Sequence, residues 1–191
     1  MPTKGQDVVV GLKISLGGAK ETYASIASEL GMSASEVHAA VRRLQEARLV
    51  DRDSRKVRIQ AFRSFLLFGV PYAFPAHLGE PCRGMPTAWA MPMLSQNRPK
   101  DQLAPDVLPQ DRHNLQTMPP VWPYSSGTIA GLTVRPLYPS VPQAASADPR
   151  LHEWLALVDA LRLGVPGPRA MAQAEIERRL QAYGVLPVQS G

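Results

Sequence analysis

The chain has 191 residues, of which 45% are apolar, and a formal net charge of +5. This apolar fraction supports a packed core and excludes wholesale disorder, and there is no run of about 18 apolar residues to span a membrane. The single cysteine, Cys82, excludes an internal disulfide and fits a reducing compartment, so we expect a cytoplasmic protein with no membrane partner.

The positive charge is concentrated towards the N-terminus. Residues 1–70 contain 11 Lys or Arg against 7 Asp or Glu, a net +4, whereas residues 71–191 contain 10 against 9, a net +1. A nucleic-acid-binding module needs such an excess to neutralise phosphates. The alternative is an ordinary solvated basic surface. We favour the functional interpretation because the charges fall on faces that are predicted to be exposed.

The first predicted element is a helix from about Gln6 to Leu16, ended by Gly17 and Gly18. We expect it to cover the core of the segment that follows. Asp7 and Lys13 interrupt its apolar run, so no signal peptide is expected.

Residues Thr22 to Val50 organise the rest of the chain, because they predict two short helices joined by a glycine turn. The first helix has an apolar stripe at helical spacing, formed by Tyr23, Ile26, Ala27 and Leu30. Gly31 ends it, since glycine enters the left-handed conformation without steric cost. Ser33 and Glu36 predict a capping box for the second helix, in which the cap alone contributes ~1 kcal/mol. The second helix is predicted to bury Val37, Ala40, Val41, Leu44 and Ala47, and to leave His38, Ala39, Arg42, Arg43 and Gln45 on its other faces.

A basic hairpin is predicted directly after the second helix. Two short strands, Leu49 to Arg52 and Lys56 to Gln60, flank a polar turn, and apolar Val57 and Ile59 alternate with a basic residue. The pattern A-x-x-L-G-M-S-x-S-E-V-H-x-A-V-R-R-L-x-x-A-x-L-V resembles the winged helix-turn-helix of bacterial regulators of the MarR type. The resemblance covers about residues 6–60 and implies double-stranded DNA as the partner, with the second helix in the major groove and the hairpin as the wing.

The resemblance also implies which residues contact DNA. Base edges and the phosphates beside them would be contacted by Ser33, Ser35, His38, Ala39 and Arg42. Backbone phosphates would be neutralised by Arg43 and by the wing residues Arg52, Arg55, Lys56 and Arg58.

Residues 61–147 are predicted to form a linker helix and an irregular subdomain. The helix covers Ala61 to Gly69, and packs on the second half of the chain or serves as a dimer element. Residues 70–143 hold 14 of the 19 prolines, which excludes long regular helices. Because aromatic and aliphatic residues are interleaved with the prolines, we expect an ordered region with short strands at Tyr72–Phe74, Ala88–Met91 and Thr133–Leu137. The weakest part is Ser95 to Gln116, a predicted surface loop.

Residues 148–191 are predicted to be a helix pair. Asp148 and Pro149 mark the start of the first helix, whose apolar face comprises Leu151, Trp154, Leu155, Val158, Leu161 and Leu163. A break at 165–168 precedes a second helix from Arg169 to Tyr183. The pair would cap the irregular subdomain or form a homodimer.

The residues that could carry catalysis are sparse. Cys82 and His77 lie five residues apart, but a chance pair of loop residues is the better interpretation. The four histidines show no metal-ligand spacing, and the turn from Ser125 to Thr128 lacks the features of a phosphate loop. For the aromatic residues Trp89, Trp122 and Tyr124, core packing is favoured over ligand stacking. We therefore expect neither an enzyme nor a metal or cofactor site.

The sequence thus predicts an α+β protein with an N-terminal winged helix-turn-helix, an irregular Pro-rich subdomain and two C-terminal helices. Its expected function is that of a homodimeric, sequence-specific DNA-binding repressor. Two alternatives remain open: an antitoxin-like module that binds a protein partner through residues 61–183 and regulates its own synthesis, and a regulator that senses a small molecule.

Overall fold

The computed structural model describes residues 2–17, 20–94 and 118–182. They form an α+β fold of short helices and one small sheet. The α-helices are α1 (Gly5–Ser15), α2 (Tyr23–Leu30), α3 (Ala34–Glu46), α4 (Ile59–Ser64), α5 (Val70–Ala73), α6 (Val141–Ala147), α7 (Pro149–Leu163) and α8 (Pro166–Ala182). The strands are β1 (Leu78–Pro86), β2 (Pro120–Pro123) and β3 (Ile129–Val134). The predicted loop Ser95–Gln116 lies outside the described residues. Across the described ranges, no helix combines the length and apolar character that crossing a membrane requires.

The first helix confirms its prediction to within one residue at each end. It packs against α3, and its buried residues include Val8, Val9, Leu12 and Ile14. A Cβ atom on Gly11 would lie 2.7 Å from the Phe62 ring, so glycine at this position permits the close approach of the aromatic side chain. α1 therefore covers the core beside α3, as the sequence predicts.

The Pro-rich central region is more helical than predicted. The predicted strand Tyr72–Phe74 is wrong: α5 lies there, with Pro71 near its start, directly after a π-helical turn. The predicted strand Ala88–Met91 is also wrong, since Ala88–Ala90 forms a 3₁₀ turn. A second 3₁₀ turn follows at Pro92–Leu94.

The three strands close on one another as a small barrel. β1 pairs antiparallel with both β2 and β3, and β2 pairs parallel with β3. β3 overlaps only the first part of the predicted strand Thr133–Leu137, and ends before Pro136, which has no N–H to donate. The backbones approach closely at Gly84, where a Cβ atom would lie 2.1 Å from the Trp122 carbonyl oxygen. A larger residue there would force β1 and β2 apart.

The core of the fold is built around α7. The predicted start is confirmed, because the Asp148 carboxylate accepts the N–H groups of Arg150 and Leu151, each at 3.1 Å. Every residue from Trp154 to Arg162 is buried, so α7 is enclosed on all sides rather than amphipathic. It packs against α1, α5, α6 and α8. The last helix, α8, begins at Pro166 instead of the predicted Arg169, since prolines are compatible with a first helical turn.

A buried polar cluster joins α7 to the sheet. The Asp159 carboxylate accepts from the Thr87 hydroxyl at 2.9 Å and from the Trp122 indole N–H at 2.5 Å, and it forms an ion pair with Arg162. Arg162 also donates to the carbonyl oxygens of Phe74 and Arg135. One turn of α7 therefore holds four distant segments of the chain in place.

Ion pairs connect the N-terminal helices to the C-terminal ones. Lys13 on α1 contacts Glu29 at 2.5 Å and Asp148 at 3.1 Å, and Arg63 on α4 pairs with Glu177 on α8. The buried apolar residues form one continuous cluster from Val8 to Leu180. The N-terminal region thus shares its core with the helices at the other end of the chain.

Candidate nucleic-acid interface

The α2–α3 unit has the local structure that its sequence predicts. The Thr22 hydroxyl caps α2 by accepting the Ser25 N–H at 3.1 Å. Gly31 ends α2 with φ of 63°, in the left-handed region that favours glycine. The capping box of α3 is confirmed: the Ser33 hydroxyl accepts the Glu36 N–H at 3.2 Å, and the Glu36 carboxylate accepts the Ser33 N–H at 2.9 Å. The three residues 31–33 therefore set a tight connection between the two helices.

α3 presents one polar face to solvent. Of the predicted buried residues, Val37, Ala40, Val41 and Leu44 are buried and Ala47 is exposed, because Ala47 already lies past the last helical turn. Ser33, Ser35, His38 and Arg42 are exposed, and Ala39 is half-buried. The predicted base-contacting residues are therefore accessible.

Arg43 is a correction to the predicted set, because it is buried and cannot reach a phosphate. Its Nε donates to Asp7 at 2.8 Å and its Nη2 donates to the other carboxylate oxygen at 2.6 Å. Arg43 is 5% exposed and Asp7 is fully buried, and the hydrogen bond to the carboxylate raises the pKa of Arg43. This pair anchors α3 to α1. No local pattern predicts this pair, because the two residues are 36 positions apart.

An aromatic contact links α2, α3 and the hairpin that follows them. The Tyr23 ring meets the His38 ring edge-on, with centroids 5.3 Å apart, and the Arg55 guanidinium lies 5.2 Å from the Tyr23 centroid. Arg55 itself has φ of 54°, which turns the chain back towards α2. Tyr23 belongs to the predicted apolar stripe of α2. It is partly buried against the core and lies between His38 and Arg55.

The hairpin, Leu49–Arg58, is less regular than predicted. The two predicted strands are reduced to a single bridge between Val50 and Val57, because α4 already begins at Ile59. The N–H of Asp51 donates to the Lys56 carbonyl at 2.8 Å, and the N–H of Arg58 donates to the Leu49 carbonyl at 2.8 Å. Backbone pairing is therefore confined to the base of the hairpin.

The Asp51 carboxylate holds the turn of the hairpin. It accepts the Ser54 N–H at 3.0 Å and the Ser54 hydroxyl at 2.9 Å, and pairs with Arg58 at 3.1 Å. These contacts, with the Ser54 N–H first among them, lower the pKa of Asp51 to about 2. Arg58 is thus paired with Asp51. Arg52 and Lys56 are also exposed on the hairpin.

A polar cleft lies between α3 and the hairpin. Its volume is about 250 Å³, and it is lined by Arg42, Gln45, Glu46 and Arg52. The Gln45 amide donates to the Arg52 carbonyl at 3.4 Å and so connects the helix to the hairpin. Arg42 and Arg52, one from each element, share this cleft. The cleft therefore brings a predicted base-contacting residue of α3 beside a predicted phosphate-contacting residue of the hairpin.

The far half of the chain touches the start of α3. The Tyr138 hydroxyl donates to the Glu36 carboxylate at 2.7 Å, and the Ser140 hydroxyl donates to the Leu30 carbonyl at 2.5 Å. Tyr138, and then the N–H and hydroxyl of Ser33, lower the pKa of Glu36. The capping box is thus supported by a residue 102 positions away.

We expect Tyr138→Phe to raise the pKa of Glu36 towards its ordinary value. In the wild type, the stabilisation from the Glu36 carboxylate is present above the unfolded pKa of about 4.3 and is lost as the pH falls through the lower folded pKa. In the variant, the loss should occur at a higher pH. An NMR titration of the Glu36 carboxyl group measures the shift, with Tyr124→Phe as the control because that hydroxyl faces Ser146. Equal pKa values in wild type and Tyr138→Phe would contradict the prediction.

The remaining candidate residues lie elsewhere. Cys82 is on β1, where the Thr133 hydroxyl contacts its sulfur at 3.0 Å, and His77 is exposed just before that strand. Trp89 and Trp122 are buried in the core as predicted, and Tyr124 is half-buried. Among the residues that the structure describes, no group of three or more His, Cys, Asp or Glu side chains could hold a metal ion.

Comparison with known proteins gives no relative: no family model, no curated protein and no solved structure matches this chain.

Proposed function

We propose that this protein is a sequence-specific DNA-binding regulator of the winged helix-turn-helix kind, which acts as a homodimeric repressor. α3 enters the major groove, and the hairpin lies along the adjacent backbone as the wing. The observation that carries the proposal is the exposed polar face of α3, with Ser35, His38 and Arg42, beside a basic hairpin. Two short helices joined by a tight turn are the arrangement that places a recognition helix in the major groove.

The contacts divide by chemistry. Arg42 is exposed on α3, and an arginine in the major groove donates two hydrogen bonds to O6 and N7 of guanine. Arg52 and Lys56 are exposed on the hairpin and act as charges on phosphate, which carries no sequence information directly. Arg43 has no role at the DNA, because it is buried against Asp7.

Tyr23 has a positioning role in this proposal. Tyr23 fixes the His38 ring from one side and receives the Arg55 guanidinium on its face. Immobilising a long side chain on binding costs about 0.5–1.5 kcal/mol. Because Tyr23 already contacts His38 and Arg55, these two side chains lose less freedom when DNA binds. Arg55 is therefore held close to the protein surface, near His38, until a phosphate is within reach.

We expect Arg42→Ala to weaken binding to the preferred duplex by about 5- to 150-fold, which corresponds to the roughly 1–3 kcal/mol of one bidentate base contact. Binding to random duplex should change far less. Lys56→Ala should weaken both by a similar factor and reduce the salt slope by about one ion. The preferred duplex is first selected from a random pool with the full chain, and affinities are then titrated at two salt concentrations.

The matched control is Arg178→Ala, which removes another exposed arginine, at 68% side-chain exposure, from α8. It should leave both affinities unchanged. If the selection enriches no sequence, or if Arg178→Ala and Arg42→Ala have equal effects, the proposal is wrong.

A further inference from the structure

An uncharged surface segment lies between the hairpin and the sheet. Residues 64–79, which we call the uncharged patch, contain no Asp, Glu, Lys or Arg, in a chain with 21 basic and 16 acidic residues. Three of its large apolar side chains are among the most exposed in the described chain: Phe68 at 59%, Tyr72 at 74% and Leu78 at 40%. Phe68 and Tyr72 are about one helical turn apart, and neighbouring exposed apolar side chains of this kind mark an interaction surface.

The helix geometry explains why these rings cannot turn inwards. α4 continues through a π-helical turn, Phe65–Gly69, into α5. The inner side of this helix is filled by Phe62, Leu66, Leu67 and Val70, all of them buried. Phe68 and Tyr72 are four residues apart and lie together on the outer side. A Cβ atom on Gly69 would lie 2.6 Å from the Phe65 ring. The Phe65 ring therefore packs directly against the helix backbone at Gly69.

The structure also distinguishes the two surfaces that the sequence left open. The sequence allowed either the segment 62–68 or the C-terminal helix pair to join two copies. α7 is buried from Trp154 to Arg162 within its own chain, and the exposed side of α8 carries charged side chains such as Arg178, which is 68% exposed. Phe62 and Leu66 are likewise buried. The exposed surface without charged side chains is therefore the outer side of residues 64–73, with Phe68 and Tyr72.

We infer that the uncharged patch is the interface between two copies of this chain, with the Phe68 and Tyr72 side of the helix facing its own counterpart. In a two-fold interface each residue near the axis meets itself, so a charged residue there meets a like charge. A chain of net charge +5 therefore associates with its copy most readily where charge is absent. The inference rests on the proposed function, which requires two DNA-reading modules, and it assigns the surface that joins them.

The two exposed rings supply only part of the area that a dimer interface needs. A fully buried aromatic side chain covers roughly 150–250 Å², so the exposed parts of Phe68 and Tyr72 supply roughly 200–300 Å² per copy. A standard interface needs about 800 Å² per partner. The end of α7 lies beside the patch, because the Ala76 N–H donates to the Arg162 carbonyl at 3.2 Å. Val165, three residues further along the chain, is 39% exposed.

The same helix connects this interface to the DNA-contacting hairpin. α4 begins at Ile59, two residues after the Val50–Val57 bridge. The fifteen residues from Ile59 to Ala73 span about 22 Å at 1.5 Å per residue. A dimer formed through Tyr72 would thus hold each hairpin at a fixed distance from the two-fold axis, which sets the spacing between the two half-sites.

Sedimentation equilibrium of the full chain, without DNA, tests the inference. The wild type should approach twice 20.8 kDa at about 100 µM. Tyr72→Glu should raise the dimer dissociation constant by about 100-fold, since it places two carboxylates opposite each other at a cost of several kcal/mol. Met171→Glu, at an exposed apolar side chain on α8, is the matched control and should remain dimeric. Far-UV circular dichroism checks that both variants are folded.

A cross-linking measurement covers the case in which Tyr72→Glu fails to fold. Tyr72→Cys in a Cys82→Ser background should give a covalent dimer with a short bifunctional maleimide, and Met171→Cys in the same background should not. A wild type that stays monomeric at about 100 µM, or cross-linking through Met171→Cys alone, overturns the inference. A dimer that selects no DNA sequence would defeat the proposed function and leave this interface standing. A monomer that binds DNA selectively would overturn this interface and the homodimer, and would leave the DNA-reading role of α3 standing.

Discussion

Replacing Arg43 with alanine should lower the free energy of unfolding by about 3–5 kcal/mol, which is the usual cost of removing one partner from a buried ion pair. Asp7, with no exposed surface, would keep its charge without the two hydrogen bonds from Arg43. Among the described residues, the Lys4 N–H, at 2.8 Å, would be the remaining donor to its carboxylate. Urea denaturation at pH 7, followed by far-UV circular dichroism, measures the change.

A double variant distinguishes the buried charge from the lost side-chain volume. Asp7→Leu combined with Arg43→Met replaces the pair by apolar residues of similar size, and such replacements are often neutral or stabilising. We therefore expect the double variant to be more stable than either single one. Arg42→Ala, at the exposed neighbouring position, should change stability by less than about 0.5 kcal/mol. A loss below about 1 kcal/mol for Arg43→Ala would mean that the pair does not anchor α3 to α1.

Replacing Asp159 with alanine should destabilise the fold by a similar amount, about 3–5 kcal/mol. Arg162 would then be buried without its counter-charge, and the Thr87 hydroxyl and the Trp122 indole N–H would lose their acceptor. Asparagine is not a conservative replacement here. One carboxylate oxygen accepts from Arg162 and the other from Thr87 and Trp122, so the amide NH₂ group would face a donor in either orientation.

Thermal and urea unfolding of Asp159→Ala and Asp159→Asn measure this effect, with Glu153→Gln as the control on the same helix. The Glu153 side chain is 43% exposed and pairs with Arg179 near the surface, so its loss should cost less than about 1 kcal/mol. If Asp159→Asn is as stable as Glu153→Gln, the buried polar cluster around Asp159 does not contribute the free energy of unfolding that its geometry predicts.

The features that the sequence predicted correctly are local. The Ser33–Glu36 capping box, the turn at Gly31 and the Asp148 cap each involve residues two to three positions apart, so side-chain chemistry alone determines them. The buried stripe of α3 follows from helical periodicity in the same way. These elements suffice to place the exposed residues His38 and Arg42.

The features that the sequence missed depend on distant partners. Arg43 looked like a surface residue because the periodicity of α3 says nothing about Asp7, 36 positions earlier. The contact of Tyr138 with Glu36 spans 102 positions. In the central region, short apolar runs between prolines are compatible with strand or helix, and packing against α7 decides between them. A side chain's role at the DNA therefore has to be judged from its tertiary neighbours.

The ion pair between Lys13 and Asp148 has a consequence for the order in which the chain is made. The two residues are 135 positions apart, and a ribosome that adds about 5–20 residues per second needs roughly 7–27 s to cover that distance. Throughout this interval α1 has been synthesised but α7, against which it packs, has not. The nascent N-terminal helices must therefore persist with part of their apolar surface uncovered, until the residues after Asp148 complete the core that the N-terminal helices share.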